Sequence, residues 1–67
     1  MSPKRLATML KAKREDKGLT QIDLAKRANV SQAYVASLEA GSKKNPSLAV
    51  LQRIAKALGV PVTELLG

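Results

Sequence analysis

Apolar residues recur at three- and four-residue intervals along almost the whole chain, the repeat of amphipathic helices. Leu6, Met9 and Leu10 share one face of a first helix, predicted from about Pro3 to Lys17. Ser2 can cap it, Pro3 suits its first position, and Gly18 follows as a stop. Leu19 then drops towards the core. Thr20 caps a second helix, with Asp23 three residues on in a capping-box arrangement. Ile22, Leu24, Ala25 and Ala28 are its expected apolar contacts, and Asn29 is the breaker, since Asn tolerates a left-handed backbone. Val30 is expected to be buried. Ser31 caps a third helix that runs to about Ala40 and ends at Gly41, with Val35 and Leu38 inward. A polar loop from Ser42 to Pro46 holds Lys43 and Lys44 and closes on an Asn45–Pro46 turn signal. Ser47 caps a fourth helix with Leu48, Leu51, Ile54, Ala55 and Leu58 on its apolar face and Gly59 as its stop. Pro61 begins a short last turn carrying Val62, Leu65 and Leu66. The pattern is all-α, five helices and no strand; Pro61 interrupts Val60 and Val62, where a strand would need continuity.

Length limits this pattern to one domain over residues 1–67, with a core small enough that its helices must pack well. The chain has no cysteine and no histidine. Disulfides, thiolate or imidazole metal sites, thiol nucleophiles and Ser-His triads are therefore excluded. Five carboxylates remain, and nothing in their spacing pairs them, so neither enzyme, metal nor cofactor is expected. Twelve Lys and Arg against those five acids give a formal net charge of +7. A field of that strength draws polyanions: nucleic acid, an anionic membrane surface or an acidic protein. Residues 1–30 carry eight of the bases. No apolar run reaches the ~20 residues that span a bilayer, and MSPKRLATML has too short an apolar segment for a secretory signal, so a soluble cytoplasmic protein is expected.

The spacing between the second and third helices is the most specific signal. Only Ala28, Asn29 and Val30 separate them, so they must cross steeply. A steep crossing requires a small residue at the contact, which Ala25 supplies, and an adaptable residue at the turn, which Asn29 supplies. Val35 and Leu38 then anchor the second helix of the pair. An ordinary helical hairpin is the plainer alternative; a helix-turn-helix over about residues 20–40 explains more of the residues.

Arg14, LTQIDLAKRANVS from Leu19, LEAG from Leu38, NPSLAVLQRIAKALGV from Asn45 and VTELL from Val62 together resemble the phage repressor/Cro-like helix-turn-helix family, also called the XRE family. The resemblance implies a compact five-helix domain of the lambda-repressor type. It also implies reading of operator DNA, usually as a symmetric homodimer, through the major groove.

On that reading, Gln32 is the best candidate to read a base, since its amide matches adenine N6 and N7. Ala33 offers only a methyl, and Ser37, a turn later, is within range of a base or a phosphate. Thr20 and Gln21 at a helix N-terminus, with Ser31 at the next, are candidates for the DNA backbone; the resemblance places a phosphate contact at Gln21. Lys43, Lys44 and Asn45 are expected to straddle the backbone beside the groove. Tyr34, the one aromatic residue, either donates to a phosphate or covers the helix. The resemblance makes Arg14 and Glu39 an ion pair between the first and third helices, with Arg14 also turned to a phosphate. Val62, Leu65 and Leu66 form an apolar end that either closes the core or meets a second copy; the resemblance favours the second. The expected function is a transcriptional regulator, a repressor by preference, that binds a pseudo-palindromic site. The alternatives are an antitoxin or a restriction-modification controller of the same fold, a basic protein-interaction module, and a membrane-surface helix protein, which lacks aromatic anchors. No small-molecule site is evident.

Overall fold

A computed structural model describes residues 2–43 and 45–66. Five helices follow in order: α1 (Pro3–Asp16), α2 (Gln21–Ala28), α3 (Gln32–Glu39), α4 (Leu48–Leu58) and α5 (Thr63–Leu66). Among the described residues there is no strand. Each of the first four helices starts at a hydroxyl. The side chains of Ser2, Thr20, Ser31 and Ser47 accept hydrogen bonds from the backbone N–H groups of Arg5, Asp23, Tyr34 and Val50. Thr20 and Asp23 form a complete capping box, the Thr20 N–H donating to Asp23 Oδ2 at 3.0 Å. These caps satisfy N–H groups that have no partner within a helix.

Asn29 stops α2 with φ 57°, ψ 48°, a left-handed conformation. Its neighbour Val30 donates back to the Ala25 carbonyl at 2.9 Å, which closes the turn and starts the chain towards α3. Gly59 plays the same part after α4 at φ 72°. α2 packs against both α3 and α4, and α1 packs against α3 and α5. The core where they meet contains Leu6, Leu10, Leu24, Ala25, Ala28, Val35, Leu38, Leu51, Ile54, Ala55, Leu58 and Leu65. Ala25 is the small residue that the crossing of α2 and α3 requires.

Three apolar assignments differ from the sequence reading. Ile22 is 48% exposed. It lies two residues before Leu24, about 200° round the helix at ~100° per residue, and so faces away from the buried stripe of Leu24, Ala25 and Ala28. Leu48 is 54% exposed. It has the right phase for the face of Leu51, Ile54, Ala55 and Leu58, but as the first residue of α4 it overhangs the core. Val30 is half-buried against the core rather than within it. Among the described residues, no helix is long and apolar enough to cross a membrane.

Candidate nucleic-acid interface

The third helix is anchored through Val35 and Leu38, both fully buried, and this fixes which residues it turns outward. At ~100° per residue the outermost positions are Ala33, Ala36, Ser37 and Ala40. Gln32 stands on the edge shared with Glu39, and Tyr34 on the opposite edge. Gln32 and Ala33 are exposed in the first turn, where no described residue bonds the Gln32 amide. The outward face of α3 is thus one amide beside three alanine methyls. Such a surface allows close approach and offers apolar contact to thymine methyls.

Ser37 is bonded through both its hydroxyl and its carbonyl. Its hydroxyl donates to the Tyr34 carbonyl at 2.8 Å, and its own carbonyl accepts from the N–H and the hydroxyl of Ser42. The hydroxyl keeps its accepting capacity, and the Ser37 carbonyl, not the side chain, ties the start of the loop to α3.

The strongest local interaction lies behind this face. Arg14 donates from Nε to Glu39 Oε2 at 2.6 Å and from Nη2 to Oε1 at 2.9 Å. Its Nη1 donates to the Leu19 carbonyl at 2.7 Å. The two side chains are only 11% and 5% exposed. One guanidinium therefore joins α1, the α1–α2 turn and α3. Two-point geometry of this kind is the strong form of a charged pair. The Glu39 hydrogen bond, aided by the charges of Glu39 and Glu15, holds the Arg14 pKa above its usual value. Burial pushes the Glu39 carboxyl up, but hydrogen bonds from Arg14 and Gln21 and the charges of Arg14 and Lys11 outweigh it and hold the group below the usual carboxylate range. Arg14 is thereby committed to the fold. Three of its five N–H groups are engaged within the fold, which leaves two for a contact outside it.

Gln21 joins the same cluster, its Nε2 donating to Glu39 Oε1 at 3.2 Å. The side chain is therefore held in place, while the first N–H groups of α2 lie at the exposed end of the helix. An open trough runs past this point, lined by Lys11, Arg14, Glu15, Gln21, Ala36, Glu39 and Ala40. Lys11 is the residue that sequence reasoning missed. It lies one turn before Arg14, a spacing that marks a shared face, and its charge acts on Glu39. It lines the trough together with Gln21 at the start of α2 and Ala36 and Ala40 of α3 and its cap.

The opposite edge of α3 is built by Tyr34 and the loop after α3. The ammonium of Lys43 sits over the Tyr34 ring, 4.8 Å from its centroid, a cation–π contact that steers a flexible lysine towards α3. Tyr34 itself is half-buried against the core, so its ring is cover and platform together. Asn45 is exposed nearby in the loop, and Lys44 lies outside the described residues. Thr20 and Ser31 are exposed caps. Their oxygens accept from backbone N–H groups, which leaves each hydroxyl proton free to donate. Val62, Leu65 and Leu66 lie at α5, packed against α1, where Lys13 and Glu64 form an ion pair at 3.2 Å. Leu65 is 1% exposed and part of the core. It has no surface to offer a second copy, which removes it from the expected dimer contact; Val62 and Leu66 remain half-buried.

Comparison with known proteins gives a consistent picture. Residues 10–65 match the family model described as Helix-turn-helix. An immunity repressor protein of Bacillus phage phi105 is 43% identical over 58 residues, covering 87% of this chain and 40% of the relative. The HTH-type transcriptional regulator SinR of Bacillus subtilis is 35% identical over 57 residues, covering 85% of this chain and 51% of the relative. The chain thus spans only about half of the length of these curated relatives. Among solved structures, the restriction-modification controller protein C.AhdI of Aeromonas hydrophila superposes with a TM-score of 0.90 at 32% identity and 94% coverage of both chains. SinR in complex with DNA superposes with a TM-score of 0.89 at 32% identity, covering 92% of this chain and 98% of that one.

Proposed function

The chain belongs to the helix-turn-helix family of the XRE type, and from that premise we propose that it is a sequence-specific double-stranded DNA-binding regulator of transcription, acting as a cytoplasmic repressor. The carrying observation is the pose of α3: an exposed first turn with a free amide at Gln32, braced from behind by the Arg14–Glu39 pair and flanked by cationic rims. In this reading α3 enters the major groove and α2 crosses the backbone. Gln32 reads a base, and Ala33 and Ala36 admit thymine methyls. The α2 N-terminus at Gln21, with Thr20 and Lys11, takes phosphates on one side; Ser31, Lys43, Lys44 and Asn45 take them on the other.

A homodimer on DNA, through Val62 and Leu66 at α5, would set two reading helices roughly 34–36 Å apart on a pseudo-palindrome. Likeness to relatives named as a phage repressor and as transcriptional regulators supports repression. A controller of restriction-modification is the second reading, favoured by the mutual 94% coverage with C.AhdI. The two share the same DNA chemistry and differ in which gene the site precedes.

Selection of bound sequences from a random duplex pool tests the proposal. A two-fold symmetric consensus is expected. Enrichment of no coherent sequence, with equal retention of all duplexes, would leave only a basic module.

A further inference from the structure

A second basic surface lies off the reading face. The C-terminal halves of α2 and α4 wall an open groove, with Arg27, Ala28 and Asn29 on one side and Arg53, Lys56 and Ala57 on the other. Three cations line it and no carboxylate does. Because α2 packs on α3 and on α4, the groove opens on the α4 side of α2. Arg53 donates from Nη2 to the Asn29 carbonyl at 3.3 Å. That bond holds a guanidinium at the turn leading through Val30 and Ser31 to Gln32. The groove therefore starts beside the N-terminal end of the reading helix.

Helix electrostatics explains part of this composition. Arg27 and Lys56 occupy last turns, where unpaired carbonyls favour cations. It does not explain Arg53, which is mid-helix, nor three like charges turned to one groove. Asp23, one turn before Arg27, is the acid closest along α2, and the Thr20 N–H already engages its carboxylate. An anion is the natural occupant. A protein partner would require aromatic or large aliphatic anchors seated in pockets, and the apolar part of this lining is Ala28 and Ala57 alone. A run of phosphates requires only charge and access.

We propose that this groove binds the phosphate backbone of the duplex flanking the half-site that α3 reads, a contact without base preference. Arg27 and Arg53 would engage phosphates through paired N–H groups and Lys56 as a point charge. The proposal rests on the DNA reading above.

The test compares wild type with the double variant Arg27→Gln, Lys56→Gln, sparing Arg53 because of its bond to Asn29. Binding is measured over a salt series on two duplexes, one trimmed to the selected site and one extended by about 10 base pairs, one helical turn, on each side. On the extended duplex the slope of log K against log salt should become shallower by about 1.8, near 0.9 for each lost contact. On the trimmed duplex it should barely change, and base preference should be the same on both. Equal slopes for wild type and variant on the extended duplex would overturn the proposal, whether or not the variant melts earlier through lost helix-end charges. An equal drop on both duplexes would also overturn the flanking assignment. Loss of sequence preference in the wild type is a separate result, which would sink the reading of α3.

Discussion

Arg14 carries more structure than any other single side chain, because its bonds cross between parts of the chain distant in sequence. Removing it leaves Glu39 charged, 5% exposed and without its bidentate partner. The pair is partly buried, so removing one side should cost less than the about 3–5 kcal/mol of a fully buried pair, still a real share of the roughly 5–15 kcal/mol that holds a small domain folded. Arg14→Ala should therefore lower the denaturation midpoint steeply, and Arg14→Lys should recover little, because an ammonium lacks the planar fork. The same pair sets an acid limit. The Glu39 carboxyl is held below its ordinary value near 4.5, so the unfolded chain binds a proton there before the folded one does. Its contribution is fully present above that ordinary value and is lost as pH falls through the depressed folded value. Asp23, lowered mainly by the Thr20 backbone N–H, acts in the same direction. Denaturation followed from pH 7 to pH 3 should show stability falling below about 4.5, with a smaller fall in Glu39→Gln. On the reading face, Gln32→Ala should cost roughly 1–3 kcal/mol on the selected site and relax one base position. Lys43→Ala should weaken all duplexes alike and flatten the salt slope by about 0.9. Equal losses on selected and random DNA for both variants would remove Gln32 as a reader.

At the level of elements, the path from α2 to α3 depends on one left-handed residue. Asn29 accepts φ 57° at moderate strain. An alanine there should destabilise by about 1–2 kcal/mol, whereas Asn29→Gly should be tolerated, since glycine adopts that backbone freely. Leu24→Ala, which empties a fully buried position of α2 in the core, should cost about 2–5 kcal/mol. Chemical denaturation of the three variants ranks them directly. The caps and stops of α1 to α4 were legible in the sequence because capping is local: a hydroxyl and an N–H three residues apart settle it. The exposure of Ile22 and Leu48 was not legible in the same way. Periodicity identifies residues that share a face, but not where the neighbouring helix ends or how wide the buried stripe is. Lys11 was passed over for a similar reason. It resembles any exposed lysine until α2 and α3 bring their ends to it.

For the whole molecule, charge and size work together. A field of +7 on a 67-residue chain should make DNA association fast and strongly dependent on salt. The core is closed by α5, whose Leu65 seals the packing against α1. For the proposed dimer, the half-buried Val62 and Leu66 offer only a small apolar surface, so its association should be weak. Sedimentation should show mostly monomer free in solution and two chains for each palindromic duplex. One chain per duplex at saturation would refute the two-fold arrangement.

Five helices, the capped starts of the first four, the small residue at the crossing and the left-handed turn were determined by the sequence alone, because each is marked by residues close together in the chain. The sequence also excluded thiol, imidazole and disulfide chemistry by leaving out the residues. Tertiary structure decided the rest. It gave the expected Arg14–Glu39 pair its two-point geometry and its anchor on Leu19, drew Leu65 into the core, and turned the Ser37 hydroxyl back onto its own helix. It also gathered Arg27, Arg53 and Lys56 around one groove. The physical reason is common to all four. Desolvation and the pairing of charges depend on which surfaces come to face each other, and that is fixed only when helices far apart in sequence pack.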